Sequence, residues 1–158
     1  MAVWSEKLNQ IVAGTNEPKP SHVATLDLPR LQGWLPGRVW AQWVVDPKMF
    51  HLGGAVFGGY LAALADQALG LATMTVLEAG EVFTTSDLRV SFFRPVARGS
   101  LHIEAHVVHR GHGIVQTEVV FTREDGKLAG KATATQVVTR PPAVADKPVA
   151  VATVKPSA

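Results

Sequence analysis

The chain has 158 residues, 47% hydrophobic and 18% charged, which excludes a disordered chain and leaves room for one core but no second large domain. Lys and Arg exceed Asp and Glu by only 15 to 13, a net +2 with no cationic run, so nucleic acid is not an expected partner. The lack of any cysteine excludes thiol catalysis, disulfides and thiolate-bound zinc.

The first twenty residues carry Glu6 and Glu17 and no continuous apolar stretch, so no secretory or transit peptide is expected and the cytoplasm is the expected location. Residues 1–30 read as a short helix over about 3–13 and a linker punctuated by Asn16, Pro18, Pro20 and Ser21. The main domain is expected over 31–140. Its first strand is Arg38 to Val45, RVWAQWVV, rich in β-branched and aromatic residues and stopped by Asp46-Pro47. Then FHLGGAVFGG, with two glycine pairs, leads into YLAALADQALGLATMTVL, Tyr60 to Leu77. Those eighteen residues hold one charge, Asp66, and many strong helix formers, which predicts a helix apolar almost all round. A membrane span is its rival. The stretch is barely long enough to span, holds Asp66 near its middle and precedes alternating strands, so a buried core helix is expected and no membrane.

After Gly80 the period becomes two. Leu88, Val90 and Phe92 alternate with Asp87, Arg89 and Ser91, and Leu101, Ile103, Ala105 and Val107 alternate with His102, Glu104 and His106. Turns at 110–113 and 124–127 set off two further strands, Ile114 to Arg123 and Leu128 to Thr139, as consecutive hairpins. Residues 141–158, rich in Pro, Ala and Val, read as a poorly ordered or surface-lying tail. The order of elements predicts an α+β fold, one curved antiparallel sheet wrapped around one long central helix. Ala62, Ala63, Ala65, Ala68, Gly70 and Ala72 suit the helix to close wrapping.

An ionisable group in an apolar helix is costly unless it is paired or reached by solvent, so Asp66 asks for an explanation. It caps or pairs with a neighbour such as Arg89, or it does chemistry. Gly58 and Gly59 precede the helix, where the first N–H groups lack intrahelical partners and can hold an oxyanion; the other reading is a tight turn only. Gly58 and Asp66 are eight residues apart, about 12 Å along one helix, so one carbonyl cannot meet both. If they cooperate, the amide of one chain faces the carboxylate of another, which predicts a homodimer, with a tetramer as a further option.

The stretch HLGGAVFGGYLAALADQALG, with SDLRVSFFRPVARGSLHIEAHVVHRG and EDGKLAGKATATQVV, resembles the hotdog-fold acyl-CoA thioesterases of the phenylacetate-pathway (PaaI-like) type over roughly residues 35–139. The resemblance implies an acyl-CoA substrate, no cofactor and no metal. It matches Asp66 to the carboxylate that acts on the thioester, Gly58 to the backbone donor that polarises the carbonyl, and Thr85 to a hydroxyl that helps place water. Gly59 supports the same turn. His51 stands where relatives carry Asn or Gln, and its N–H can still donate. Phe57 replaces the family's His before Gly-Gly, offering an apolar wall beside the acyl group. In the hydrolytic reading Asp66 must be ionised, as nucleophile or as general base, so activity falls on acidification.

Other residues carry weaker signals. Arg94, Arg98, Arg110 and His112, with His109, could touch the phosphates of a nucleotide tail. His102, Glu104 and His106 share a strand face and could bind a metal, but a solvated face is expected. Trp34, Trp40 and Trp43 read as packing. The rival functions are an acyl-CoA-binding regulatory protein on the same fold, a hydratase or dehydratase, and a metal enzyme.

Overall fold

The structure is a computed structural model that describes residues 4–141. Helix α1 (Ser5–Ala13) begins slightly later than expected and ends at Gly14, whose φ of 72° lies in the left-handed region that a residue with a Cβ adopts only with strain. Its Leu8 is fully buried, which fastens α1 to the core. A further short helix, α2 (Ser21–Thr25), interrupts the expected linker, starts after Pro20 and buries no residue. Strand β1 (Leu31–Leu35) was not legible, because LQGWL is a five-residue stretch with a glycine at its centre. Its strand pairing comes from β2 (Arg38–Val44), to which it is joined by a tight turn.

After a 3-10 turn at Pro47–Met49 comes α3 (Gly58–Met74), shifted towards the N-terminus relative to Tyr60 to Leu77. The glycine pair forms its first turn, and the chain leaves the helix at Thr75. Four long strands follow: β3 (Val82–Phe92), β4 (Ser100–Arg110), β5 (Ile114–Arg123) and β6 (Leu128–Thr139). All strands form one antiparallel six-stranded sheet in the order β1-β2-β4-β5-β6-β3. Strands β4, β5 and β6 are consecutive hairpins as expected. Strand β3 instead crosses to the far edge beside β6, leaving its other side without a strand partner among the described residues.

The sheet curves around α3, which packs against β2 to β6. Small residues make this approach possible: Ala65, Ala68 and Ala72 of the helix and Ala105, Ala132 and Ala134 of the sheet are all buried. Trp43 and Tyr60 meet at 4.9 Å between ring centroids, tying β2 to the helix. Burial pushes the Tyr60 phenol up to about 12, and its hydroxyl donates to the Asp27 carbonyl at 3.2 Å, holding the end of α2 to α3. The helix is not covered all round. Asp66 lies at the β3 edge of the sheet, and that carboxylate is exposed in the single chain. Among the described residues no helix is long and apolar enough to cross a membrane. The expected tail, beyond Pro141, lies outside the described residues.

Candidate active site

Asp66 stands midway along α3, and Thr85 lies on β3 where that strand passes the open helix face. The Thr85 hydroxyl donates to Asp66 Oδ1 at 3.0 Å, so two side chains nineteen positions apart form one unit. Arg89, the cation in reach by sequence, makes no ion pair with Asp66 among the described residues; the neighbour of the carboxylate is a neutral donor. The expectation of a carboxylate buried in an apolar helix is corrected here, because the sheet covers only one side of α3. A carboxylate that is exposed and held by one hydroxyl keeps acceptor capacity for a water or a substrate.

The other half of the candidate site is the start of α3. Phe57 is the N-cap at φ −61° and ψ 131°, and no side chain caps the helix. The amides of Gly58 and Gly59 lie in the first turn and have no intrahelical acceptor. A Cβ at Gly58 would stand 3.2 Å from Phe92 Cζ, and one at Gly59 would stand 2.3 Å from Phe57 Cε1, so each glycine leaves space for an aromatic ring. Phe57 itself is 58% exposed. His51 accepts a hydrogen bond at Nδ1 from the Gly53 N–H at 2.9 Å, which leaves Nε2 to carry the ring's proton as a donor. Gly54 turns this loop with φ 77°, so the first glycine pair serves the turn.

These residues fall into separate hollows. His51, Gly58, Phe92 and Arg94 line a cleft of about 370 Å³. Asp66 and Thr85 line a depression of about 430 Å³ with Ser86 and Leu88, and they also stand on the wall of a cavity of about 930 Å³ beneath α1 and α2. Neither hollow that holds Asp66 holds Gly58. Within one chain the carboxylate and the amide remain about 12 Å apart along the helix.

Arg94 lies in the Gly58 cleft and donates from Nη1 to the Leu128 carbonyl at 2.9 Å. Arg98 is exposed in the loop between β3 and β4. Arg110 and His112 are elsewhere, in a hollow with Glu78, Glu81 and Arg140. There Arg110 Nη2 lies 2.7 Å from both oxygens of Glu81, whose residue is only 6% exposed. A bond from the Glu78 N–H holds the Glu81 carboxyl below the usual carboxylate range, and Arg110 adds to the effect. The charge of Arg110 is therefore matched within the chain. On the outer sheet face Glu104 pairs with Arg38 at 2.8 Å and lies 3.7 Å from His102, and among the described residues no His, Asp or Glu cluster is placed to hold a metal. Sequence reasoning missed Phe92 as the ring opposite Gly58. Its alternation placed it in a strand, but its meeting with the helix start depends on the crossover of β3 to the sheet edge.

A family model described as the thioesterase superfamily matches residues 53–129, the segment from the glycine loop to the start of β6. Residues 53–129 are thus similar to the thioesterase superfamily. The six-stranded sheet curved around one helix is the hotdog fold of that superfamily. A phenylacetic acid degradation-related protein of Ralstonia eutropha, a candidate thioesterase, is 26% identical with a TM-score of 0.72, over 82% of this chain and 98% of that one. A Streptococcus mutans protein bound to acetyl CoA is 26% identical with a TM-score of 0.65, over 70% of this chain and 87% of that one. A candidate esterase of Saccharolobus solfataricus is 35% identical over 80 residues, which are 51% of this chain and 56% of that relative's length. The family match thus takes in Gly58, Asp66 and Thr85, and His51 lies just before it.

Proposed function

We propose that the chain is a thioester hydrolase acting on an acyl-CoA, with each active site built between two copies. The observation that carries this reading is the Thr85 to Asp66 hydrogen bond on an exposed helix face. It joins a carboxylate to a hydroxyl inside the segment similar to the thioesterase superfamily, and the acetyl CoA held by the Streptococcus mutans relative favours a CoA thioester. In a homodimer Asp66 and Thr85 come from one copy, and the partner's Gly58 and the partner's His51 complete the site. The eleven-residue edge strand β3, beside the open face of α3, is the surface a second copy would pair with, since a long unpaired edge otherwise invites aggregation.

In the general-base form, Asp66 takes a proton from a water placed by Thr85, and the water oxygen bonds to the thioester carbonyl carbon. The carbonyl electron pair moves to oxygen, where the partner's Gly58 N–H and helix dipole stabilise it. Collapse breaks the C–S bond, and the CoA thiolate recovers the proton from Asp66, leaving the free acid. In the nucleophilic form an Asp66 oxygen bonds to the carbonyl carbon, the C–S bond breaks to release the CoA thiolate, and water then hydrolyses the anhydride to the free acid and the Asp66 carboxylate while the thiolate takes up a proton. Phe57 and Gly59 shape the edge of this site, and Arg94, which lines the Gly58 cleft, with Arg98 in the loop that follows, are the cations offered to the phosphates of CoA.

Hydrolysis of a panel of acyl-CoA thioesters tests the reading. Wild type should turn over, and Asp66→Ala and Asp66→Asn should lose about 10²–10⁴-fold in kcat/KM, the usual contribution of a positioned acid or base. Binding of CoA esters without turnover in wild type would make the chain a non-catalytic acyl-CoA-binding protein.

A further inference from the structure

The reading above uses only one corner of the cavity of about 930 Å³. Asp66 and Thr85 stand on its wall, and from there the floor follows α3 through Gly70 to Met74, with Phe83 beside it. Eight residues of helix make that floor about 12 Å long. It leads away from Gly58 and the start of the helix. The roof is the N-terminal segment: Trp4, which precedes α1, Ile11 within it, Val23 from α2, and Leu26 and the residues after it.

This roof is anchored unevenly. Helix α1 is fixed by the fully buried Leu8 and by Asn9, which accepts from Trp34 Nε1 at 2.9 Å. Helix α2 has no buried residue and meets α3 through His22 Nε2, 3.2 Å from Gln67 Oε1, and, just past its end, through the Tyr60 hydroxyl on the Asp27 carbonyl. Lys7, Lys19 and Arg30 also border the cavity, but they are exposed and stay hydrated at its rim. The hollow therefore combines a carboxylate at one end, an apolar floor and a lightly held cover, within the size range of small-molecule sites.

We infer that this hollow is the acyl chamber, and that the substrate class is a CoA thioester with an extended apolar acyl group rather than an acetyl-sized one. The inference rests on Asp66 being the carboxylate that acts on the thioester. With the carbonyl carbon at Asp66, the acyl arm runs along Gly70 towards Met74 beneath α1 and α2, and the CoA leaves towards the partner's helix start. Each methylene that enters the chamber should raise kcat/KM about 3–4-fold, the fold-change that corresponds to burying one CH₂.

The test measures kcat/KM for saturated acyl-CoAs from acetyl to palmitoyl, and the affinities of the matching non-hydrolysable thioethers, on the full chain. Wild type should improve with acyl length up to a maximum. Met74→Trp, which fills the far end, should lower the ratio of long-chain to short-chain kcat/KM at least tenfold and lower the thioether affinity ratio in parallel. Leu26→Trp, from the exposed edge of the roof, keeps the test alive if Met74→Trp fails to fold. A wild-type profile flat in acyl length, or a uniform loss across all lengths in both variants, would overturn the chamber while leaving thioester hydrolysis standing. Length-dependent thioether binding that responds to these variants, without any turnover, would uphold the chamber and overturn the hydrolytic reading.

Discussion

If Asp66 and Gly58 act on one carbonyl, they must belong to different chains, because the helix holds them about 12 Å apart. Two single variants should then rescue each other. The first is Asp66→Asn, which removes the carboxylate and keeps the shape. The second is Gly58→Pro, which removes one N–H. The structure favours that change: Gly58 is the first helical residue, where proline is well tolerated, and Phe57 at φ −61° and ψ 131° already has the backbone that precedes proline. The Phe92 ring, 3.2 Å from the position of a Cβ there, is 54% exposed and free to shift. Gly58→Pro alone should keep the wild-type Tm within a few degrees and lose about 10²–10³-fold in kcat, the usual effect of one oxyanion donor. When the two variants are unfolded together at equal amounts and refolded, half of the dimers contain one chain of each. In such a dimer one site carries both lesions and the other carries neither. Recovered activity should therefore be about one quarter of wild type per chain. No recovery, with mixed dimers confirmed by mass spectrometry, would refute the shared site; so would wild-type activity in Gly58→Pro alone.

Other expectations follow from the packing. Glu81→Gln should destabilise by about 1.5–3 kcal/mol, since Arg110 loses a charged acceptor within hydrogen-bond distance on both oxygens. Because the folded Glu81 carboxyl titrates below its unfolded value, its contribution is present above the unfolded value and is lost as pH falls through the folded one. The gap in Tm between wild type and Glu81→Gln should therefore narrow on acidification; a gap independent of pH would reject the ion pair as its source. Gly33→Ala should cost about 1–3 kcal/mol in chemical denaturation, because the new Cβ would stand 2.2 Å from Trp40 Cζ2 and displace that ring from β1. Gly70→Ala should raise Tm by about 2–4 °C, since it removes a helix-interior glycine and its methyl meets Phe83 at the ordinary contact distance of 3.4 Å.

What the sequence could disclose depended on how local each cause is. Strands β5 and β6 were legible to the residue, because alternation and flanking turns are written in neighbouring positions. Strand β1 was hidden because LQGWL has no pattern of its own and becomes a strand only by pairing with β2. The candidate site divides along the same line. Asp66 was conspicuous as the one charge in an apolar helix, and its eight-residue spacing from Gly58 already required two chains if both act on one carbonyl. Its exposure was not legible, since hydrophobicity all round the helix suggests cover all round, and in one chain the sheet supplies it on one side only. Three apolar residues of α3, Ala63, Leu71 and Met74, floor the cavity beneath α1 and α2. In the proposed reading, a helix more apolar than its own sheet requires gives its remaining surface to a second copy at Asp66 and to an acyl group along the turns beyond it.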